Sequence, residues 1–178
     1  FDRNKHYFDD YSNITFKKKF AGVDWGYSHY GSIVVMGEST DGKFYLLEEH
    51  AYQFKEIDDW VEIAKEIKAR HGNITFYCDS ARPEHVDRFY RERLNSVNAN
   101  KERLAGIEQV ARLFKKDSLF INSNVKRFKE EIYNYIWDEK TGDTIKQFDD
   151  VLDSLRYAVY SYMNRQTAKV LNKARLGL

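Results

Sequence analysis

The sequence predicts an α/β chain in which a mixed central sheet, three antiparallel strands followed by parallel ones, is flanked by helices. Three observations predict it. Phe20–Trp25, Ser32–Met36 and Phe44–Glu48 are short apolar runs separated by tight-turn signals, Gly26 to Gly31 and Asp41-Gly42, so they read as consecutive antiparallel strands. Ile74-Thr-Phe-Tyr-Cys78 is apolar without interruption, as expected of a central strand covered on both faces. Elsewhere the apolar residues recur at helical spacing.

Residues 1–19 carry no clear periodicity and are expected to be a lead-in, with Lys17-Lys18-Lys19 a solvated run. From Glu56 the pattern turns helical through Ile57, Trp60, Val61, Ala64 and Ile67, and Gly72 sits where a C-terminal cap belongs. Beyond the Ile74–Cys78 strand, Pro83 suits the first turn of a helix through Val86, Phe89, Tyr90 and Leu94. Ser96 to Ala99 is a further strand candidate, and Ile107, Val110, Ala111 and Phe114 mark another amphipathic helix. Ser118–Ile121 reads as the last strand, with Ser123 or Asn124 able to cap a helix through Val125, Phe128 and Ile132. Residues 138–147 look like a turn with Gly142 at its tip. The final helix starts at Asp149 and presents Val151, Leu152, Leu155, Val159 and Tyr162 as its apolar stripe.

Composition limits the function classes. The chain has 178 residues, 42% hydrophobic and 16% aromatic, enough for one domain with a real core. A formal net charge of +1 gives no global basic field, so any nucleic-acid contact must be a local patch. Cys78 is the single cysteine, which excludes an internal disulfide and fits a reducing compartment. No run approaches a membrane span, so a soluble, intracellular protein with no membrane partner is expected. A start at Phe1 and a polar, aromatic opening suit a piece of a longer polypeptide.

The chemistry gathers around three acids. Asp24 ends the first strand at a Gly-containing turn, where a carboxylate can bind a cation or remain simply solvated. Asp79 ends the Ile74–Cys78 strand, and the crossover through the intervening helix implies a parallel neighbour, so both acids could meet at one sheet edge. In the final helix Asp153 lies in the second turn beside the apolar stripe, facing that edge, with Asp150 one turn earlier. Asp149 starts the helix and is expected to cap it. Among basic groups, Lys101 and Arg103 are the candidates for phosphate contact. Arg82, Arg88, Arg91 and Arg93 alternate with Glu84, Asp87 and Glu92 and read as a salt-bridged surface.

Val23-Asp-Trp-Gly26, Tyr77-Cys-Asp-Ser80, Gly106-Ile-Glu-Gln-Val110 and above all Asp149-Asp-Val-Leu-Asp-Ser-Leu-Arg-Tyr-Ala158 resemble the C-terminal nuclease domain of tailed-bacteriophage terminase large subunits, of the ribonuclease H-like superfamily. The last motif is the most specific; that family usually has His where this chain has Asp150, and Ala where it has Ser154. The resemblance implies a lead-in at 1–19, a nuclease domain at 20–163 and a basic tail at 164–178. No Walker A loop occurs here, so the motor ATPase half is expected to lie outside this piece.

The resemblance further implies an endodeoxyribonuclease that cleaves concatemeric double-stranded DNA for packaging in the host cytoplasm. Asp24, Asp79 and Asp153 would be its catalytic metal ligands and Asp150 an auxiliary one, holding two divalent cations, Mg²⁺ or Mn²⁺, about 4 Å apart. Implied partners are the ATPase domain of the same polypeptide, the small terminase subunit and the portal protein. The alternatives are a Holliday-junction resolvase or transposase-like nuclease of the same fold, or an actin-like nucleotide-binding module. The last predicts a second Gly-rich phosphate loop, which is not found.

Overall fold

The computed structural model describes residues 1–139 and 149–175. In chain order the elements are β1 (Tyr7–Phe8), β2 (Phe16–Asp24), β3 (Gly31–Ser39), β4 (Phe44–Tyr52), α1 (Ile57–His71), β5 (Thr75–Cys78), α2 (Pro83–Arg91), β6 (Asn95–Asn98), α3 (Arg103–Lys115), β7 (Leu119–Asn122), α4 (Arg127–Glu139) and α5 (Asp150–Arg175). The strands form one sheet in the order β1-β7-β4-β3-β2-β5-β6. β2, β3 and β4 are antiparallel, as the turn signals between them predict. β5 and β6 extend the sheet in parallel from β2, and β7 and β1 extend it in parallel from β4.

Alternation along the strands sorts the side chains between two cores. Ala21 and Val23 pack with Trp60, Val61 and Phe89 of α1 and α2. Phe20 packs with Leu113, Phe128, Val151 and Leu155 of α3, α4 and α5. Period two then assigns Gly22 and Asp24 to the Phe20 face, toward α5. In β5, Phe76 and Cys78 belong to the first core and Tyr77 to the second, so Asp79 follows Tyr77 onto the α5 face. Phe20, Trp60, Phe76, Phe89 and Phe128 are fully buried, each contributing about 1.5–3 kcal/mol through burial.

Several expectations are corrected by long-range contacts. Residues 1–19 contribute β1 and the beginning of β2, and Phe1 packs on Phe114 and Phe128. A two-residue strand carries no readable period, which is why the segment reads as featureless. The N-terminus of α4 is capped by Glu49 of β4, whose carboxylate accepts the amides of Lys126, Arg127 and Phe128 at 3.0, 2.8 and 2.6 Å, in place of Ser123 or Asn124. Asp138 and Glu139 end α4, and the remainder of the turn expected at 138–147 lies outside the described residues. α5 continues to Arg175, so the backbone of most of the segment expected as a tail is helical.

Candidate functional site

β2 and β5 pair in parallel with Val23 opposite Cys78, so the next residues, Asp24 and Asp79, stand side by side at the carboxyl ends of adjacent strands. Asp79 N–H donates to the Val23 carbonyl at 2.9 Å, extending the ladder to the acids themselves. The Trp25 indole N–H donates to the Asp79 carbonyl at 2.8 Å and ties the two strand ends together. The juxtaposition expected from the crossover is therefore present.

α5 is brought against this edge by the absence of a side chain at Gly22. A Cβ there would stand 1.9 Å from the Ser154 carbonyl oxygen and 2.9 Å from the Ala158 Cβ, so the helix backbone rests on the strand. Ser154 also pins α5 to β3, its hydroxyl 2.5 Å from that of Ser32, while the Ser32 hydroxyl donates to the Asp150 carbonyl at 2.8 Å. Ser154, where the resembled family has Ala, is thus satisfied by a partner serine. The start of α5 is held by Glu131 of α4, fully buried, which accepts the amides of Val151 and Leu152 at 2.9 and 3.0 Å and the Arg127 guanidinium at 3.1 Å. Glu131 fills the capping task expected of Asp149, which instead pairs with Arg103 at 4.0 Å.

These constraints bring Asp149, Asp150 and Asp153 into electrostatic range of Asp24. Burial, with Asp153 and then Asp79, Asp150 and Asp149 adding repulsion, pushes the Asp24 carboxyl up to about 8. Among the described residues no hydrogen bond or ion pair reaches that side chain. Burial likewise raises Asp150, against the pull of His29, and Asp153, against the pull of Arg156. Burial also pushes Glu131 up to about 8, against the amides and guanidinium that it accepts.

Two cations hold the flanking acids. Lys101 Nζ donates to Asp79 at 2.6 Å, and Asp79 also accepts the Ala81 amide at 3.0 Å. Arg156 reaches Asp153 with Nε at 3.2 Å and Nη2 at 2.9 Å, and its other nitrogen donates to the Lys101 carbonyl at 3.3 Å. Gly106 makes room for that arm, since a Cβ there would stand 2.8 Å from Arg156 Cγ. So held, the acids are neighbours without converging. Among the described residues no three His, Cys, Asp or Glu side chains are gathered to hold a metal ion as they stand. The donor set still fits a hard divalent cation: it consists of carboxylate oxygens, and the repulsion focused on Asp24 is relieved by no described cation.

Asp79, Asp153 and Asp150 therefore lie within electrostatic range of Asp24 without forming a ligand cluster among the described residues, and Lys101 and Arg103 come with them as partners of Asp79 and Asp149. The arginine-rich helix is the salt-bridged surface expected, with Arg82–Glu84, Arg88–Glu92 and Arg91–Asp87 all paired. Sequence reasoning missed Glu131 and His29, the latter 3.4 Å from Asp150. An acid beside the α4 apolar stripe was the only local signal for Glu131. Beside the acids opens a cleft of about 630 Å³ lined by Asp24, Tyr27, Lys55, Asp79, Arg82 and His85.

A mixed sheet with acids at two adjacent strand ends and on a late helix defines a protein of the ribonuclease H-like class. The match to known families is specific: residues 21–161 fit the terminase RNaseH-like domain. The chain belongs to that family. Its fold is similar to the large terminase of a thermophilic bacteriophage in complex with ADP, with a TM-score of 0.77 and 22% identity, over 88% of this chain and 42% of that one. It is also similar to the P22 large terminase nuclease domain, at TM-score 0.76 and 18% identity over 93% and 90% of the two chains. A third likeness is to the nuclease domain of the bacteriophage SPP1 large terminase with bound Mn, at TM-score 0.62 and 17% identity over 86% and 95%. This chain thus spans less than half the length of the ADP-bound large terminase. No curated protein sequence matches it. Among the described residues no helix is long and apolar enough to cross a membrane.

Proposed function

We propose that this domain is the metal-dependent endonuclease of a phage DNA-packaging terminase, cutting double-stranded DNA with Asp24, Asp79 and Asp153 as ligands to two divalent cations. The observation that carries the reading is the Asp24 carboxyl, pushed up to about 8 by burial and by four neighbouring acids, with no ion pair to any described residue. A charge arrangement of this kind is costly without a ligand and suits a site built for positive charge. The family assignment and the fold shared with the P22 and SPP1 nuclease domains support the same reading.

Mg²⁺ or Mn²⁺, when bound, supplies water activation and charge neutralisation at the scissile phosphate. The chain's own groups do the holding. Asp24, Asp79 and Asp153 would hold the ions, with Asp24 the central acid among them, and Asp150, at the position where the resembled family has His, would be auxiliary. Lys101, which donates to Asp79, and Arg103, which pairs with Asp149, would be the groups to contact a DNA phosphate in this reading. The ATPase domain would belong to the same polypeptide, and the small subunit, the portal and the host cytoplasm complete the setting. In this reading residues 20–163 carry the nuclease unit, 1–19 follow the ATPase domain in the polypeptide and add β1 and the start of β2 to the same sheet, and 164–178 add basic charge.

Incubation with supercoiled plasmid, with and without Mn²⁺, tests the proposal. Nicking or linearisation that requires Mn²⁺ and disappears in Asp24→Asn and Asp79→Asn is expected. Cleavage at parental rates by either variant at saturating Mn²⁺ would overturn the ligand assignment.

A further inference from the structure

Few large apolar side chains are exposed among the described residues, and three of the six, Tyr27, Tyr52 and Phe54, lie on segments flanking the acid site. Tyr27 is 52% exposed and Phe54 64% exposed. The two rings meet edge to face with centroids 5.7 Å apart. Tyr27 follows Asp24 by three residues and lines the same cleft as Asp24 and Asp79. Two bonds lock this pair in place: the Phe54 amide donates to the Tyr27 carbonyl at 2.7 Å, and the Gln53 side-chain amide donates to the Ser28 carbonyl at 2.7 Å.

Phe54 holds this position at a conformational cost. Its φ is +58°, in the left-handed region that bulky side chains rarely enter. Arg93 and Asp117 share the sign, with φ of +60° and +49°, but both lie just beyond the C-termini of α2 and α3, where a left-handed residue is an ordinary helix ending. Phe54 has no such reason, since it stands between β4 and α1. A strained backbone that presents an aromatic ring to solvent, against the Tyr27 ring and next in sequence to Lys55 of the cleft, points to a ligand for the ring. Lys55 lines the same cleft with its ammonium 5.6 Å from the Tyr52 ring centroid, and Arg82, paired with Glu84, lines it as well. Aromatic surface next to cationic groups is the chemistry that binds an unpaired nucleotide, with the base stacked and the phosphate neutralised.

We propose that Tyr27 and Phe54 form a base-stacking platform that takes an unstacked nucleobase from a DNA strand entering the acid cleft. The inference rests on the nucleic-acid reading of that cleft and adds a preference to it. DNA with frayed, nicked or single-stranded character near the scissile position binds better than intact duplex. No base edge is read, so the preference is for structure and not for sequence.

The test uses the 178-residue chain carrying Asp24→Asn, in EDTA, so that no strand is cut. A short single strand and a blunt duplex, each with 2-aminopurine at one position, serve as probes. The single strand is expected to bind more tightly, with its fluorescence quenched by stacking. Phe54→Gly, which removes the ring and suits the left-handed backbone, is expected to match or exceed its parent in Tm while losing about tenfold in affinity and the quench. Phe54→Trp should retain both. Single-strand binding by Phe54→Gly equal to its parent, or a parental preference for blunt duplex, overturns the proposal and leaves the pair as a protein contact. The plasmid assay is separate: cleavage that persists with an inert Phe54→Gly rejects the platform alone, and quenching without cleavage rejects the nuclease alone.

Discussion

The carbonyl oxygen of Ser154 lies 1.9 Å from where a Cβ on Gly22 would stand, so helix α5 rests on the backbone of strand β2 at the one turn that carries Asp153. The site depends on this contact. One missing methyl group sets the distance between the acid of the first strand and the acids of the last helix.

Gly22→Ala therefore tests how the site is built. The obstruction is backbone, so no flexible side chain can yield, and α5 must move away from β2. Overpacking at a rigid contact costs about 1–3 kcal/mol or more. A lower urea midpoint, together with loss of whatever activity or metal binding the parent shows, is expected. Parental stability would mean that α5 has room that its contacts do not reveal.

Asp24 makes the metal-free protein sensitive to alkaline pH. The folded carboxyl keeps its proton up to about 8, whereas an unfolded Asp releases it at about 4. Between those values the native state binds more protons than the unfolded state, so stability falls as pH rises, by at most about 1.4 kcal/mol per unit from this group. In EDTA, Asp24→Asn should be more stable than its parent at pH 8, with the gap closing toward pH 4. Urea midpoints across that range check the sign, and a gap that widens toward acid refutes it.

Glu131 should stabilise α5 out of proportion to its distance from the acids. Glu131→Ala leaves the Val151 and Leu152 amides and part of Arg127 without their acceptor, at about 1–3 kcal/mol. Glu131→Gln keeps an acceptor oxygen and should fall between the two. Hydrogen exchange at Val151 and Leu152 gives the direct measurement: faster exchange in the Ala variant than in the Gln variant is expected, and unchanged protection in both would remove Glu131 from this role.

Lys101 competes with any cation for Asp79, which it holds at 2.6 Å. Lys101→Ala is expected to bind Mn²⁺ several-fold more tightly by calorimetry while cutting DNA more slowly, because the same ammonium is lost from the phosphate. Weaker Mn²⁺ binding in the variant would show that Lys101 orients Asp79 and does not occupy a cation's place.

Much of this molecule was legible as sequence because it is written in local periods. The short apolar runs at Phe20–Trp25, Ser32–Met36 and Phe44–Glu48 and the Asp41-Gly42 turn specify the antiparallel strands, the stripe from Val151 to Tyr162 specifies the last helix, and Asp24, Asp79 and Asp153 fall where those elements end or face the sheet. The family could be recognised from the same residues. Tertiary structure alone decided which groups complete the arrangement: Glu49 caps α4 across 77 or more residues, Glu131 caps α5, Lys101 answers Asp79, and Phe54 is turned into a left-handed conformation beside Tyr27. A carboxylate on an exposed strand and one buried against a helix N-terminus look alike in a chain of letters. What separates them is how closely the layers approach, and that is set by packing, down to the one missing methyl group at Gly22.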